Sequence, residues 1–252
     1  MDAFQQFLKT FFDWRAMGEV IPQMLTVGLP NTLLLAIISG VLGCILGLVL
    51  AVMGISRNGV ARWIARVYTD ILRGLPAILV ILVIGIGLGP TFRMLTGSTS
   101  PFPLGILALT LMAGAYIGEI FRSGIQSVHT GQLEAARALG FSYGSAMFLV
   151  VIPQGIRRVL PALVNQLISL IKDSSLIYVL GLLASQREIF RIGNDAMSNS
   201  GNLSPLVAAG VLYLILTIPL THLVNFIDNR LRIGKPVKKE PDDVAAVVGK
   251  GV

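Results

Sequence analysis

Long uncharged apolar blocks alternate with short basic connections along this chain. Residues 20–56, 74–92, 94–118 and 196–227 contain no Asp, Glu, Lys or Arg. A hydrocarbon core of about 30 Å takes roughly 20 helical residues to cross, so each block predicts a spanning helix. Residues 138–156 are also uncharged, but their one strongly apolar run, Ala146 to Ile152, is seven residues long and is bracketed by Gly, Ser, Pro and Gln. That segment is too short to span. The stretch from Val159 to about Leu183 is apolar on both sides of Lys172 and Asp173 and is predicted as the fourth span, with Pro205 to Ile227 the fifth.

The ends of the chain read differently. Phe4, Phe7, Leu8 and Phe11 recur at helical spacing while Gln5, Gln6, Lys9, Thr10 and Asp13 fill the other positions. This predicts an amphipathic helix lying in the membrane interface within residues 1–19. The segment lacks the basic start and unbroken apolar run of a signal peptide. After Ile233 the chain turns to Lys, Pro, Glu and Asp with sparse Ala and Val, which predicts a flexible cytoplasmic tail over 231–252. Residues 20–230 between them form one transmembrane domain, with no internal repeat. The expected fold class is all-α: a polytopic membrane protein with five transmembrane helices, a short interfacial N-terminal helix and a cytoplasmic helix in the loop at about 130–155.

Composition agrees with lipid as the solvent. Hydrophobic residues make up 54% of the chain and charged residues 13%, and the mean hydropathy is +0.78, values wrong for a soluble globule of this size. Lys and Arg are retained on the cytoplasmic side of a membrane. Most of them follow the first, third and fifth spans, among them Arg57, Arg62, Arg66, Arg122, Arg137, Arg157 and Arg158, against six on the other side. The amino terminus is therefore expected outside and the carboxyl tail in the cytoplasm. The net charge of +7 is then topology and contact with anionic membrane lipid, and nucleic acid is excluded as a partner.

Most isolated polar or small residues have ordinary readings. Gly43 with Gly47 and Gly114 with Gly118 are small-xxx-small pairs that let helix backbones approach. Asp70 and Arg73 are spaced to pair on one helix face. The lone Cys44 permits no intrachain disulfide, and His129 and His222 have no metal-ligand spacing, so no metal is expected. No G-x-x-x-x-G-K-[ST] phosphate loop occurs and no nucleophile constellation stands out. The chain is therefore not expected to be an enzyme by itself.

One segment between the third and fourth spans is more specific. Gly131 to Gly140, GQLEAARALG, is rich in helix formers, carries Glu134 near its start and ends at Gly140, which permits a left-handed stop. A helix this short is unstable alone and must dock on something. Glu134, Ala135, Ala136, Leu139 and Gly140, with Pro153 and Pro161 beyond, resemble the EAA loop of type I ABC importer permeases. The strings YTDILRGLP (Tyr68 to Pro76), AYIGEIFRSG (Ala115 to Gly124), GQLEAARALG and IKDSSL (Ile171 to Leu176) resemble more narrowly the permeases for polar amino acids, of the histidine and glutamine type. His129-Thr130 departs from the family, where Pro and a basic residue are common.

The resemblance implies a bacterial inner-membrane permease whose coupling helix sits in a cleft of the ATPase. It implies two ATP-binding subunits that hold ATP and Mg, a second permease subunit, identical or homologous, and an extracytoplasmic amino-acid-binding protein. This chain itself would bind no cofactor. Substrate would pass by alternating access. The candidate pathway residues are Asp173 and Lys172, deep in the fourth span, with Asn165, Gln166 and Ser169 upstream and Glu119 at the inner end of the third. Two readings of the charged pair stand side by side: Lys172 snorkels while Asp173 bonds a neighbouring helix, or Asp173 lines a cavity and attracts the substrate ammonium. For Glu119, pairing with Arg122 competes with a pathway role. A secondary transporter or channel, and a scaffold without transport, are the alternative functional classes. The first is disfavoured by the five-span plan, the second by the polar residues within the spans.

Overall fold

The computed structural model describes residues 2–232; of the tail expected over 231–252, Leu231 and Arg232 close the last helix and residues 233–252 lie outside the described residues. Every regular element among them is a helix, and five are long and apolar enough to cross a membrane. An amphipathic helix α1 (Ala3–Phe11) exposes Phe4, Phe7 and Leu8. At Asp13 the chain turns, and that carboxylate caps α2 (Trp14–Gln23) by accepting from the Arg15 and Ala16 backbone N–H groups. It also accepts from Asn202 Nδ2 at 3.2 Å, which ties the amino-terminal turn to the start of the last helix.

From α2 the helix continues through a wider π turn, Met24–Gly28, into α3 (Leu29–Ile55). A second π turn, Met147–Val151, joins α8 (Tyr143–Ala146) to α9 (Ile152–Arg158). Each lies just ahead of a proline, Pro30 or Pro153. Proline offers no N–H to the carbonyl four residues back and its ring crowds that carbonyl. The extra residue widens the turn and lets the helix pass: the Leu29 and Ile152 N–H groups bond five residues back, to Met24 and Met147.

Between these lie α4 (Gly59–Gly74), α5 (Ala77–Thr96), α6 (Phe102–Gln126) and α7 (Thr130–Ala138). The break between α4 and α5 falls at Leu75, which is extended because Pro76 follows it. The third span, expected from residue 94, begins instead at Phe102. Gly97 caps α5 in a left-handed conformation, and Pro101 then sets up the start of α6. At its other end α6 runs past Glu119 and Arg122, because those charges satisfy each other. The fourth span is α10 (Leu160–Asp173) tightening into a 3-10 turn, Ser174–Leu180. A short 3-10 turn at Ala184–Gln186, then α11 (Ile189–Ser200), lead to the fifth, α12 (Ser204–Arg232).

The centre of the molecule is the crossing of α3 and α6. A β-carbon at Gly47 would come within 2.8 Å of the Gly118 backbone nitrogen, and one at Gly43 within 2.7 Å of the Ala113 β-carbon. Only the absence of side chains lets these backbones meet, and in lipid such contact takes over the role that hydrophobic burial has in water. Leu35, Leu109, Ile117, Leu170 and Ile177 pack around this crossing. A smaller cluster, Met17, Met24, Ile189, Ile192, Ala208 and Ala209, joins α2, α11 and α12.

Candidate transport pathway and coupling segment

The nine-residue α7 is held at both ends by caps. His129 Nδ1 accepts from the Gly131 N–H at 3.1 Å, satisfying a donor that a helix start leaves free. At the other end the Gly140 N–H bonds the Arg137 carbonyl and the Phe141 N–H bonds the Ala136 carbonyl, the paired bonds of a Schellman stop. Gly140 has φ +90°, as the stop requires. The Arg137 guanidinium closes the turn on the Phe141 carbonyl at 3.0 Å. Ala136 is buried and Leu133 packs inward, while Glu134, Ala135, Leu139 and Gly140 are exposed, Leu139 to 79%. Gln154 Nε2 donates to Gln132 Oε1 at 3.1 Å, which fastens α7 to α9. The result is a rigidly docked short helix that presents an acidic residue and a bare leucine.

On α10 the sequence-predicted polar residues share one face. At 100° per residue, Asn165, Gln166, Ser169, Lys172 and Asp173 fall within an arc of about 120°. The far side of the helix carries the buried Ile168, Leu170 and Ile171. No side chain of Asn165, Gln166, Lys172 or Asp173 makes a hydrogen bond or ion pair among the described residues. Lys172 and Asp173, a turn-third apart, do not meet. Asp173 is half-buried at the point where α10 gives way to the 3-10 turn. An unpartnered polar stripe on a helix at membrane depth cannot face hydrocarbon without a cost of several kcal/mol. In this single chain the stripe points away from the packed core.

Glu119 is not on that stripe. On α6 it forms an ion pair with Arg122, whose Nε lies 2.9 Å from Glu119 Oε2. Both line a cleft of about 230 Å³ against α4. The expected Asp70–Arg73 pair does not form: Arg73 instead sits over the Tyr116 ring at 5.6 Å from its centroid, and Asp70 faces the same cleft.

Sequence reasoning missed Glu188, a fully buried carboxylate. It caps α11 by accepting from the Phe190 and Arg191 N–H groups, both at 2.6 Å, and from the Tyr213 hydroxyl at 3.0 Å. Thr32 Oγ1 accepts from the neighbouring Ile189 N–H at 3.3 Å, and Asn31 Nδ2 donates to the Ser185 and Arg187 carbonyls. Helices α3, α11 and α12 thus converge on this group. Burial pushes its carboxyl up to about 7 from an ordinary 4.5, against the lowering effect of its three donors and Arg191. The folded chain therefore holds a proton between those values that the unfolded chain has released. The stability this confers is complete below pH 4.5 and is lost as pH rises through 7. Glu188→Gln should flatten that part of the pH dependence of the thermal unfolding midpoint in detergent. An unchanged slope in the variant would show that Glu188 does not titrate there.

Comparison with known proteins bears on the whole chain. Residues 43–233 match the family described as "Binding-protein-dependent transport system inner membrane component". The chain is 36% identical over 217 residues to the arginine transport system permease protein ArtQ of Bacillus subtilis (strain 168), covering 85% of this chain and 96% of the relative. It is 32% identical over 225 residues to the glutamine transport system permease protein GlnP of Escherichia coli (strain K12), covering 88% and 99%. Among solved structures, the "Crystal structure of an amino acid ABC transporter with histidines" matches with TM-score 0.74 at 32% identity, covering 86% of this chain and 98% of that one. An inward-facing MetNI methionine ABC transporter matches with TM-score 0.70 at 22% identity over 84% and 97%, a likeness of fold. With a family match over most of its length and full-length relatives above 30% identity, the chain belongs to the binding-protein-dependent transport system inner membrane components: it is the multi-pass permease of an ABC importer whose ATPase is a separate subunit.

Proposed function

We propose that this permease carries polar amino acids inward, with the α10 stripe lining the pathway and α7 seated in the ATPase. What carries the substrate class is the likeness along nearly the whole chain to permeases named for arginine and glutamine. Two ATP-binding subunits, holding ATP and Mg, would grip two permease subunits, this chain and an identical or homologous partner. An extracytoplasmic binding protein would deliver the amino acid. The bias of basic residues toward the connections after the first, third and fifth spans supports an amino terminus outside and α7 and the tail in the cytoplasm. ATP binding closes the ATPase pair, α7 moves with it, and the pathway opens outward. The unpartnered face of α10 supports this reading, since a second permease subunit or a watery cavity supplies the polar surroundings that one chain lacks.

The test is uptake of a panel of labelled amino acids into vesicles containing the assembled transporter. Uptake of polar amino acids should need internal ATP. Uptake driven by an ion gradient without ATP would overturn the reading. Orientation is checked in the same vesicles after Cys44 is replaced: single cysteines at Ser98 and Asn199 should react with an impermeant reagent from outside, and one at Ser145 should not. Labelling of all three from one side would overturn the topology.

A further inference from the structure

Helix α4 has three faces, and their arrangement is unusual for a connector. Ala65 is buried against the bundle. Val60, Trp63, Ile64 and Ile71 form a second, exposed apolar stripe, Trp63 exposed to 65%. Between these faces Arg62, Arg66, Asp70 and Arg73 recur at helical spacing and turn toward α6, where they meet Glu119 and Arg122 in the cleft of about 230 Å³. Four guanidinium groups there face two carboxylates. One carboxylate is taken by Arg122, and Arg73 stands over Tyr116. Arg62 and Arg66 make no side-chain hydrogen bond or ion pair among the described residues. Both also line a second cleft of about 440 Å³ that shares Gly54 and Arg122 with the first and extends to His129 and Thr130, the start of α7.

We infer that this basic cleft binds the phosphate of an anionic phospholipid. Guanidinium groups pair with phosphate oxygens through two parallel hydrogen bonds, and with four guanidinium groups against only Glu119 and Asp70 the cleft keeps a net positive charge for an anion to meet. Depth fits a headgroup: Arg122 and Glu119 are four and seven residues from the end of α6, about 6 to 10 Å along the helix. The apolar stripe fits the rest of the lipid. A soluble anion has no use for exposed Val60, Trp63 and Ile64 beside its site, whereas acyl chains of a lipid held by its phosphate would lie along them. None of the polar residues of α10 lines the cleft, so it is separate from the proposed substrate path. Because it continues to His129, headgroup occupancy and the position of α7 are physically linked.

The experiment uses the full-length chain with Trp14→Phe, which leaves Trp63 as the sole tryptophan, in phosphatidylcholine vesicles. Brominated phosphatidylglycerol should quench Trp63 beyond the same mole fraction of brominated phosphatidylcholine, with a preference of about fivefold or more. Arg62→Gln with Arg66→Gln should bring that preference close to one, while Arg93→Gln on α5 should leave it. On the parent chain, 1 M salt should also lower it, a reading that does not depend on the variant's folding. Equal quenching by both lipids, or a preference kept in the double variant, overturns the proposal. So does displacement of the brominated lipid by millimolar inorganic phosphate, which would make the cleft a site for soluble phosphate. No transport is measured, so failure here is distinguishable from failure of the importer reading.

Discussion

Gly140→Val is expected to leave the chain inserted and assembled yet to reduce transport-linked ATP hydrolysis by roughly an order of magnitude. A β-carbon at Gly140 meets no atom within 4 Å, so the substitution causes no clash, and its effect is confined to the backbone. At φ +90° a β-branched residue is strained by about 1–2 kcal/mol or more, which is a five- to thirtyfold shift in favour of an unwound stop. The Schellman bonds from Gly140 and Phe141 go with it, and Leu139, held out at the end of α7, loses its fixed position. Glu134→Lys attacks the same element by charge. The exposed carboxylate sits mid-helix, beyond the first turn in which the macrodipole acts, so a lysine there works chiefly by opposing a basic cleft in a partner. Both variants should still purify with the ATPase but should hydrolyse ATP without responding to substrate. Normal substrate-stimulated hydrolysis in both would refute the assignment of α7 as the coupling helix.

What could be read from residues alone follows from how each feature is encoded. The spans were legible because exclusion of charge from hydrocarbon acts on every residue of a block. Their ends were less so: Glu119 and Arg122 look like a boundary, but an ion pair three residues apart lets α6 continue through them. The helix at Gly131–Gly140 was legible in its formers and in its glycine. Its cap was not, since the acceptor at His129 is an imidazole nitrogen, outside the usual set of capping side chains. Glu188 was missed for a related reason. Glutamate is a poor capping residue by statistics, and its burial depends on Tyr213 and Thr32, far away in sequence. The two π turns depend on how proline is accommodated within a continuing helix, which local pattern does not announce. Helix α4 was legible in principle: the spacing of Arg62, Arg66 and Arg73 is helical, but basic residues between two apolar blocks read first as a connection.

Asp173→Asn should weaken substrate uptake by about ten- to a hundredfold in apparent affinity, with assembly and basal ATP hydrolysis close to those of the parent. The size follows from losing one charge-assisted hydrogen bond to an ammonium group, worth about 1.5–3 kcal/mol. Geometry supports the role. Helix α10 is continuous from Leu160 through Asp173, which at about 1.5 Å per residue sets the carboxylate roughly 20 Å along a core of about 30 Å. It shares its face with Asn165, Gln166, Ser169 and Lys172, and among the described residues it makes no hydrogen bond or ion-pair contact. A carboxylate serving only to bond a neighbouring helix would already have found its donor within the bundle, unless that donor lies on a second permease subunit. The two roles separate by chemistry. If Asp173 receives the substrate ammonium, the parent should reject des-amino analogues strongly and the variant should discriminate far less; if it bonds a partner subunit, Asp173→Asn should reduce recovery of the assembled transporter and transport together, with discrimination unchanged. That second outcome would remove Asp173 from the pathway and leave Lys172, which would meet the substrate carboxylate, as the charge to test next.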